Sequence, residues 1–148
     1  MATTYNFTDG SVAGHSVPAD VTLHENRVRV KRNILDFSKQ TLDAGEDDIA
    51  QAINIPANTT VLSAYIRVIT AETANGTCDL GYGGNVDQWG DGVSLATANA
   101  IVGGLDAPKY FAAADTIDVL ATTDTADVDI DGAKIEVVAR MLKHVDQL

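Results

Sequence analysis

The strongest constraint on the fold is a period of two in the hydrophobic residues, which is typical of β-strands with one buried face. In the clearest run, hydrophobic residues occupy alternate positions: Leu62, Ala64, Ile66 and Val68. Shorter runs of this kind lie at 27–37, 49–55, 78–82, 110–112, 117–121, 128–130 and 135–141. About eight short strands separated by turn residues predict an all-β fold, an antiparallel β-sandwich that is jelly-roll-like, with at most one short helix.

The first 26 residues differ from the rest of the chain. Residues 1–26 are polar, contain scattered glycine and one proline, and have no sustained hydrophobic period. We therefore predict an extended N-terminal arm over 1–26, followed by a single sandwich domain over 27–148. Such an arm either becomes ordered on a partner or is a flexible end without a role, and the sequence leaves both readings open.

The first strand of the body changes its phase part-way along. Val28 and Val30 share one parity, whereas Leu35 and Phe37 have the opposite one. We predict a bulge near 32–33, because an extra residue in one strand reverses the faces of the residues that follow.

The middle of the chain has a different composition. Residues 85–92 are rich in Asp, Asn and Gly, which predicts a loop. Asp91 is then placed to cap a short helix that runs through Leu95 to Val102 and is closed by the glycines at 103–104.

The net charge of −11, from 10 basic and 21 acidic residues, disfavours partners that are themselves anionic, such as nucleic acid and membrane surfaces. The chain also has no apolar run of about 18 residues, so no transmembrane helix is expected. Half of the basic residues fall in one stretch: Arg27, Arg29, Lys31, Arg32 and Lys39. The acidic body would be attracted to a basic patch on another protein, or the basic stretch could meet an acidic neighbour, and we take Arg27, Arg29, Lys31 and Arg32 as candidate partner-binding residues.

Trp89 is the only tryptophan and lies between Asp87 and Asp91. An aromatic ring beside carboxylates can stack on a sugar, anchor a contact between subunits, or anchor its own loop. We include Trp89 among the candidate partner-binding residues, and the sugar-stacking reading supports carbohydrate binding as a competing function.

The best metal candidate is the segment 127–132, where Asp127, Asp129 and Asp131 precede Gly132 as in the opening of a calcium loop. The twelfth position of that loop, which requires a bidentate Glu, is Val138. Alternate residues of a strand are also about 7 Å apart, so the three carboxylates reach one ion only if the backbone bends. A solvated acidic strand face is therefore favoured over a calcium site.

Residues for catalysis are sparse. The three histidines, at 15, 24 and 144, have no metal-ligand spacing, and the chain contains no nucleophile elbow or phosphate-binding loop. Cys78, the single cysteine, alternates with Leu80 and Tyr82, which predicts a small buried side chain rather than a reactive thiol. We therefore predict a protein without enzyme activity and without a cofactor.

Several segments together resemble a group of small structural proteins of tailed bacteriophages. They are Asp36-Phe37-Ser38-Lys39-Gln40-Thr41-Leu42, Gln51-Ala52-Ile53-Asn54-Ile55-Pro56-Ala57-Asn58-Thr59, Asp79-Leu80-Gly81-Tyr82-Gly83, Val86-Asp87-Gln88-Trp89 and Tyr110-Phe111-Ala112-Ala113-Ala114-Asp115-Thr116-Ile117. The resemblance covers residues from about 36 to 140, and each segment is short.

The resemblance implies a virion structural protein, in particular a head decoration (cement) protein with a jelly-roll-like body. Such a protein would form a homotrimer, bind the major capsid protein on the capsid surface, and be made in the cytoplasm of the bacterial host. No catalytic residues follow from the resemblance. The competing hypothesis is a carbohydrate- or receptor-binding β-sandwich of a tail or head fibre.

Overall fold

The computed structural model describes residues 2–9, 12–14, 27–72, 75–104, 107–122 and 129–144. These residues form ten strands and one three-residue 3-10 helix, Ala44–Glu46, between the second and third strands. The strands are β1 (Thr4–Asn6), β2 (Val28–Asp36), β3 (Ile49–Ile55), β4 (Thr59–Thr70), β5 (Thr77–Tyr82), β6 (Asn85–Ser94), β7 (Ile101–Gly103), β8 (Lys109–Phe111), β9 (Asp115–Ala121) and β10 (Lys134–Lys143).

The strands form two sheets with the topology of a jelly roll. One sheet has the order β1-β3-β9-β5-β6, and the other has the order β2-β10-β4-β7, with β8 also paired to β4. The pairs β2–β10, β3–β9, β4–β8 and β5–β6 are nested one inside another along the chain, and all are antiparallel. This is an antiparallel ribbon rolled into two layers, so the predicted jelly-roll-like sandwich is confirmed.

The core lies between the two sheets and consists of the inward-facing residues of both. Ile66 and Val68 of β4, Val137 of β10, and Ile117 and Val119 of β9 have no exposed surface. Each fully buried aliphatic side chain of this size stabilises the fold by about 1.5–3 kcal/mol relative to its exposed state. The predicted alternation over 62–68 is therefore that of a core strand, although Leu62 itself is only half-buried.

The described part of the predicted arm is held against the sandwich. β1 pairs in parallel with β3, Phe7 is buried with its ring 5.9 Å from that of Phe37, and Val12 is 5% exposed. The Asn33 side-chain amide donates to the carbonyl oxygens of Phe7 and Ala52 at 3.1 and 2.9 Å. Residues 2–9 and 12–14 therefore belong to the folded body, while residues 15–26 lie outside the described part.

The predicted bulge near 32–33 is wrong. β2 faces β10 residue for residue, from Val28 opposite Leu142 to Asp36 opposite Lys134. Val28 and Val30 point away from the core, on the face opposite to buried Leu35. The phase change had a simpler cause: the valines of this strand are surface residues.

The predicted loop over 85–92 and the predicted helix that follows it are also wrong. Residues 85–94 form β6, the hairpin partner of β5, and Ile101–Gly103 form β7. β6 is an edge strand, so most of its polar side chains face solvent, and tertiary pairing overrides their local preference for loops. Residues 95–100, between these two strands, contain no helix.

Gly81 occupies a close approach in the β5–β6 hairpin. A Cβ atom at this position would lie 2.2 Å from the Asn85 carbonyl oxygen and 2.3 Å from the Val86 carbonyl carbon. These are backbone atoms, so they cannot move aside without distorting the hairpin. At Gly83, in the turn of the same hairpin, a Cβ atom would meet nothing within 4 Å.

We therefore expect Gly81→Ala to lower the free energy of unfolding by about 1–3 kcal/mol or more through steric overlap. Gly83→Ala is the matched control and is expected to be neutral or slightly stabilising, because it restricts the unfolded chain at no steric cost. Urea unfolding of both variants measures the difference. Equal stabilities would contradict the close approach at Gly81.

Candidate partner-binding surface

Among the described residues, most of the exposed large hydrophobic side chains lie on one face of the β2-β10-β4-β7 sheet. We call it the outer face, since it points away from the core. Residues that pair across neighbouring strands share a face, so the register defines its rows. These rows are Val28–Leu142–Thr60, Val30–Arg140–Ser63, Arg32–Val138–Tyr65 and Ile34–Glu136–Arg67–Ile101.

The outer face carries five of the six exposed large hydrophobic side chains in the described part of the chain, including Tyr110 of β8, which is 50% exposed and pairs with Thr60 of β4. Val28, Val30 and Ile34 are 48%, 43% and 44% exposed, and Ile101 is 67% exposed. Val28, Val30 and Ile34 form a stripe along β2, while Ile101 lies on β7 at the far edge of the same sheet. Clustered exposed hydrophobic residues mark protein-binding surfaces, whereas isolated ones are ordinary.

An ion pair lies in the middle of the outer face. Arg67 Nε donates to Glu136 Oε1 at 3.2 Å, and Glu136 is 9% exposed. Both charges are therefore compensated within the sheet, and the remaining surface around them is largely apolar. A partly buried pair of this kind fixes two long side chains more than it stabilises the fold.

The outer face is cationic although the chain is acidic. Its strand positions include four basic residues and two acidic ones: Arg32, Arg67, Lys134 and Arg140, with Asp36 and Glu136. The whole chain has a net charge of −11. Exposed hydrophobic side chains beside the exposed cations Arg32 and Arg140 suit a partner surface that is apolar and acidic.

The structure separates the four predicted basic contact residues. Arg32 lies on the outer face, and Arg27 is exposed just before β2. Arg29 and Lys31 have the opposite parity, and the Lys31 ammonium donates to the Asn54 carbonyl oxygen of β3 at 3.2 Å. The basic stretch therefore surrounds β2 on both sides rather than forming one flat patch.

Trp89 is fully buried, so it presents no surface to a partner or to a sugar in this conformation. Its indole N–H donates to the Ala107 carbonyl oxygen at 3.0 Å, and its ring lies 6.1 Å from that of Tyr82. The side chain anchors β6 to the segment before β8. We therefore do not retain Trp89 in the candidate surface.

The acidic segment near residue 130 has a structural role in its described part, and Asp127 lies outside that part. Asp129 accepts a hydrogen bond from the Ala44 N–H at 3.1 Å. The amides of Asp131, Gly132 and Ala133 donate to one carboxylate oxygen of Glu72, at 3.0–3.1 Å. Among the described residues, no group of three or more acidic, His or Cys side chains is placed to hold a metal ion.

Asp36, Cys78 and Asp118 have shifted pKa values, and Asp36 lies on the outer face. The Ser38 hydroxyl donates to Asp36 and lowers the pKa of that carboxyl. Burial raises the pKa of the Cys78 thiol, which is fully buried as predicted and is therefore unreactive. Burial also raises the pKa of Asp118, in β9 of the opposite sheet, from 3.8 to about 6, although Thr116 donates a hydrogen bond to it at 2.7 Å.

Asp118 should make stability depend on pH. Its carboxyl binds a proton more tightly in the folded state, so ionisation above pH 6 destabilises the fold, and protonation between pH 6 and 3.8 removes that penalty. We expect Asp118→Asn to raise the free energy of unfolding at pH 7.5 by up to about 3 kcal/mol. The difference in free energy of unfolding between this variant and the unmodified chain should shrink towards zero at pH 4. Urea unfolding at several pH values from 4 to 7.5 measures this difference.

The control for this experiment is Asp91→Asn, which removes the same charge from an exposed residue of β6. It is expected to change stability little at any pH. An Asp118→Asn advantage that is constant from pH 4 to pH 7.5 would show that the effect comes from packing and not from ionisation.

Comparisons with known proteins show that this chain shares its fold with chains of solved structures. No protein-family model matches the chain, and no curated protein matches it. A chain in a structure described as the capsid of Ralstonia phage GP4 aligns over 97% of this chain and 99% of its own length, with 16% identity and a TM-score of 0.65. A chain of the cyanophage Pam1 capsid asymmetric unit aligns over 88% and 95%, with 18% identity and a TM-score of 0.57.

A third structure is described as the acid-stable capsid of Helicobacter pylori bacteriophage KHP30. It aligns over 80% of this chain and 89% of that chain, with 8% identity and a TM-score of 0.57. At these identities, the three structures establish a common sandwich fold over most of the chain. In the described residues, no helix has the length and apolar character needed to cross a membrane.

Proposed function

We propose that this chain is a non-enzymatic structural protein of a tailed-phage virion, and more specifically a decoration protein that binds the assembled head. The observation that carries the proposal is the exposed apolar outer face on a sandwich whose fold is shared with chains of three phage capsid structures. The partner would be the major capsid protein, and the chain would lie on the capsid surface after synthesis in the host cytoplasm.

The chemistry of the outer face supports a protein partner. Burying its exposed hydrophobic side chains gains about 25 cal/mol for each Å² of apolar surface. The neighbouring cations Arg32 and Arg140 are exposed on β2 and β10, where they would favour acidic partners and speed association. A sugar requires exposed aromatic rings with convergent hydrogen-bonding groups, and among the exposed large hydrophobic residues described on this face only Tyr110 is aromatic.

Weak contacts become sufficient when they are repeated by symmetry. A homotrimer would engage three capsid sites at once, and the second and third contacts would form at high effective concentration. Binding only the assembled shell would then stabilise it by mass action. One modest interface per copy is therefore enough for a cementing role.

The competing carbohydrate-binding function loses its main support. It depended on Trp89 as a stacking platform, and this ring has no exposed surface. No other described residue was proposed for that role, so the structural function is preferred.

Substitutions on the outer face should weaken capsid binding without unfolding the chain. Val30→Glu and Ile101→Glu place a carboxylate directly across from Arg140 and Arg67, so the folded state has a cation near each new charge. Docking would bury the added carboxylate against an acidic partner surface, and the repulsion and lost hydration are expected to lower the affinity at least about tenfold. Cosedimentation with particles that lack this protein measures the affinity.

The matched control is Val86→Glu, which makes the same change at a 37% exposed position on β6 of the opposite sheet. We expect it to bind like the unmodified chain and to protect particles against thermal release of the genome to the same extent. If all three variants bind equally well, the outer face is not the interface. If the unmodified chain binds no particle at any salt concentration, the decoration role is wrong.

A further inference from the structure

Tyr110 is the only aromatic residue among the six exposed large hydrophobic side chains of the described residues, and it lies on the outer face. It is 50% exposed and belongs to β8, the three-residue strand that pairs with the start of β4. The register places it in one row with Thr60, Leu142 and Val28, and this row crosses four strands of the sheet. An exposed phenol ring therefore stands at one end of the row, and the exposed Val28 stands at the other.

Contacts on the outer face hold the Tyr110 ring in one orientation. Its hydroxyl donates to Asn58 Oδ1 at 3.0 Å, and its ring is in a T-shaped arrangement with that of His144, with 5.7 Å between the ring centroids. His144 is itself held, because its backbone N–H donates to the Asn58 carbonyl oxygen at 2.8 Å and its Nε2 atom lies 2.7 Å from Thr60 Oγ1. The ring and the hydroxyl of Tyr110 are therefore each fixed by a neighbour.

The strand that carries Tyr110 is also held from the core side. The next residue, Phe111, is 5% exposed, and its ring lies 5.0 Å from that of Tyr82 in a T-shaped arrangement. The ammonium of the preceding residue, Lys109, lies 5.6 Å from the centre of the same Tyr82 ring. Tyr82 in turn contacts the fully buried Trp89. These contacts add to the pairing of β8 with β4 and keep Tyr110 on the outer face.

A tyrosine ring held in this way is a favourable centre for a protein interface. Tyr is enriched among the few residues that supply most of the binding energy, because it buries a large area with few rotatable bonds. A ring that already has one orientation loses little conformational entropy on binding. Since the hydroxyl already donates to Asn58, the surface that Tyr110 offers to a partner is mainly the ring itself.

We propose that Tyr110 is the aromatic anchor of the outer face and inserts into an apolar pocket of the capsid protein that has acidic residues at its margin. This inference rests on the proposed function and names the residue and the kind of partner surface on which binding depends. The acidic margin follows from Arg140, which is exposed on β10 in the row next to that of Tyr110, and from Arg32, which is exposed on β2.

Substitutions in the full chain separate the ring from its hydroxyl, and cosedimentation with particles that lack this protein measures their affinity. Tyr110→Ala removes the ring, so we expect at least about a thirtyfold loss, as is typical of a hot-spot residue. Tyr110→Phe keeps the ring but releases it from Asn58, so a loss of only about two- to tenfold is expected. Asn58→Gly removes the same hydrogen bond and tolerates the φ of +58° at this position, so it should behave like Tyr110→Phe.

The matched control is Val86→Ala, which shortens a 37% exposed side chain on the opposite sheet and should bind particles like the unmodified chain. Urea unfolding checks that each variant is folded. Should Tyr110→Ala fold poorly, nitration of the unmodified chain by tetranitromethane gives a readout that needs no substitution. We expect Tyr110 to be nitrated in the free chain and protected on particles, whereas Tyr5, on β1 of the opposite sheet, should react equally in both.

The anchor is rejected if Tyr110→Ala binds as tightly as the unmodified chain, if Tyr110→Phe or Val86→Ala loses as much affinity as Tyr110→Ala, or if Tyr110 is nitrated equally fast on particles and in the free chain. In these cases, binding of the unmodified chain leaves the proposed function intact. An unmodified chain that binds no particle would instead overturn both the proposed function and the anchor.

Discussion

The structure depends most on the pairing of β10 with two strands that lie far from it in the chain. β10 is hydrogen-bonded to β2 on one side and to β4 on the other, nearly along its whole length. Its inward-facing residues Ile135, Val137, Ala139 and Met141 have no exposed surface. The same strand contributes Glu136, Val138 and Arg140 to the outer face, so the core and the candidate interface are built on one backbone.

This arrangement explains why the outer face is well ordered despite being apolar. Each row of the face is fixed by backbone hydrogen bonds on both sides of β10, and the Arg67–Glu136 ion pair crosses the β4–β10 boundary. An interface on a paired sheet loses little conformational entropy when it binds, compared with one on a loop. A surface of this kind can associate through a modest contact area.

Sequence periodicity was informative where a strand has one fully buried face. The alternation over 62–68 and over 135–141 predicted β4 and β10, and the spacing of turn residues predicted the sandwich. It failed in β2, because alternation gives the parity of a strand but not which parity faces the core. Val28 and Val30 point outward there, and the long stems of Arg29 and Lys31 lie on the other side, with the Lys31 ammonium on β3.

The candidate site was predicted only in part for a related reason. Arg32 and the neighbouring basic residues were identified from charge clustering, but the phase change in this strand was attributed to a bulge, so the outward position of Val28 and Val30 was not predicted. β6 was taken for a loop because edge strands contain polar residues, and Trp89 was then assigned to a surface that does not exist. Register across strands that are distant in sequence decides these points, and a single sequence contains no direct signal for it.

The nested pairing also has a consequence for synthesis of the chain. Val28 pairs with Leu142, so the first long strand of the body has no partner until the last strand has been made. The β2-β10-β4 sheet, and with it the outer face, can therefore form only after translation of residues 134–143. Until then β2 has no strand partner and β4 lacks β10, so this sheet depends on contacts between residues far apart in the chain, a topology that slows folding.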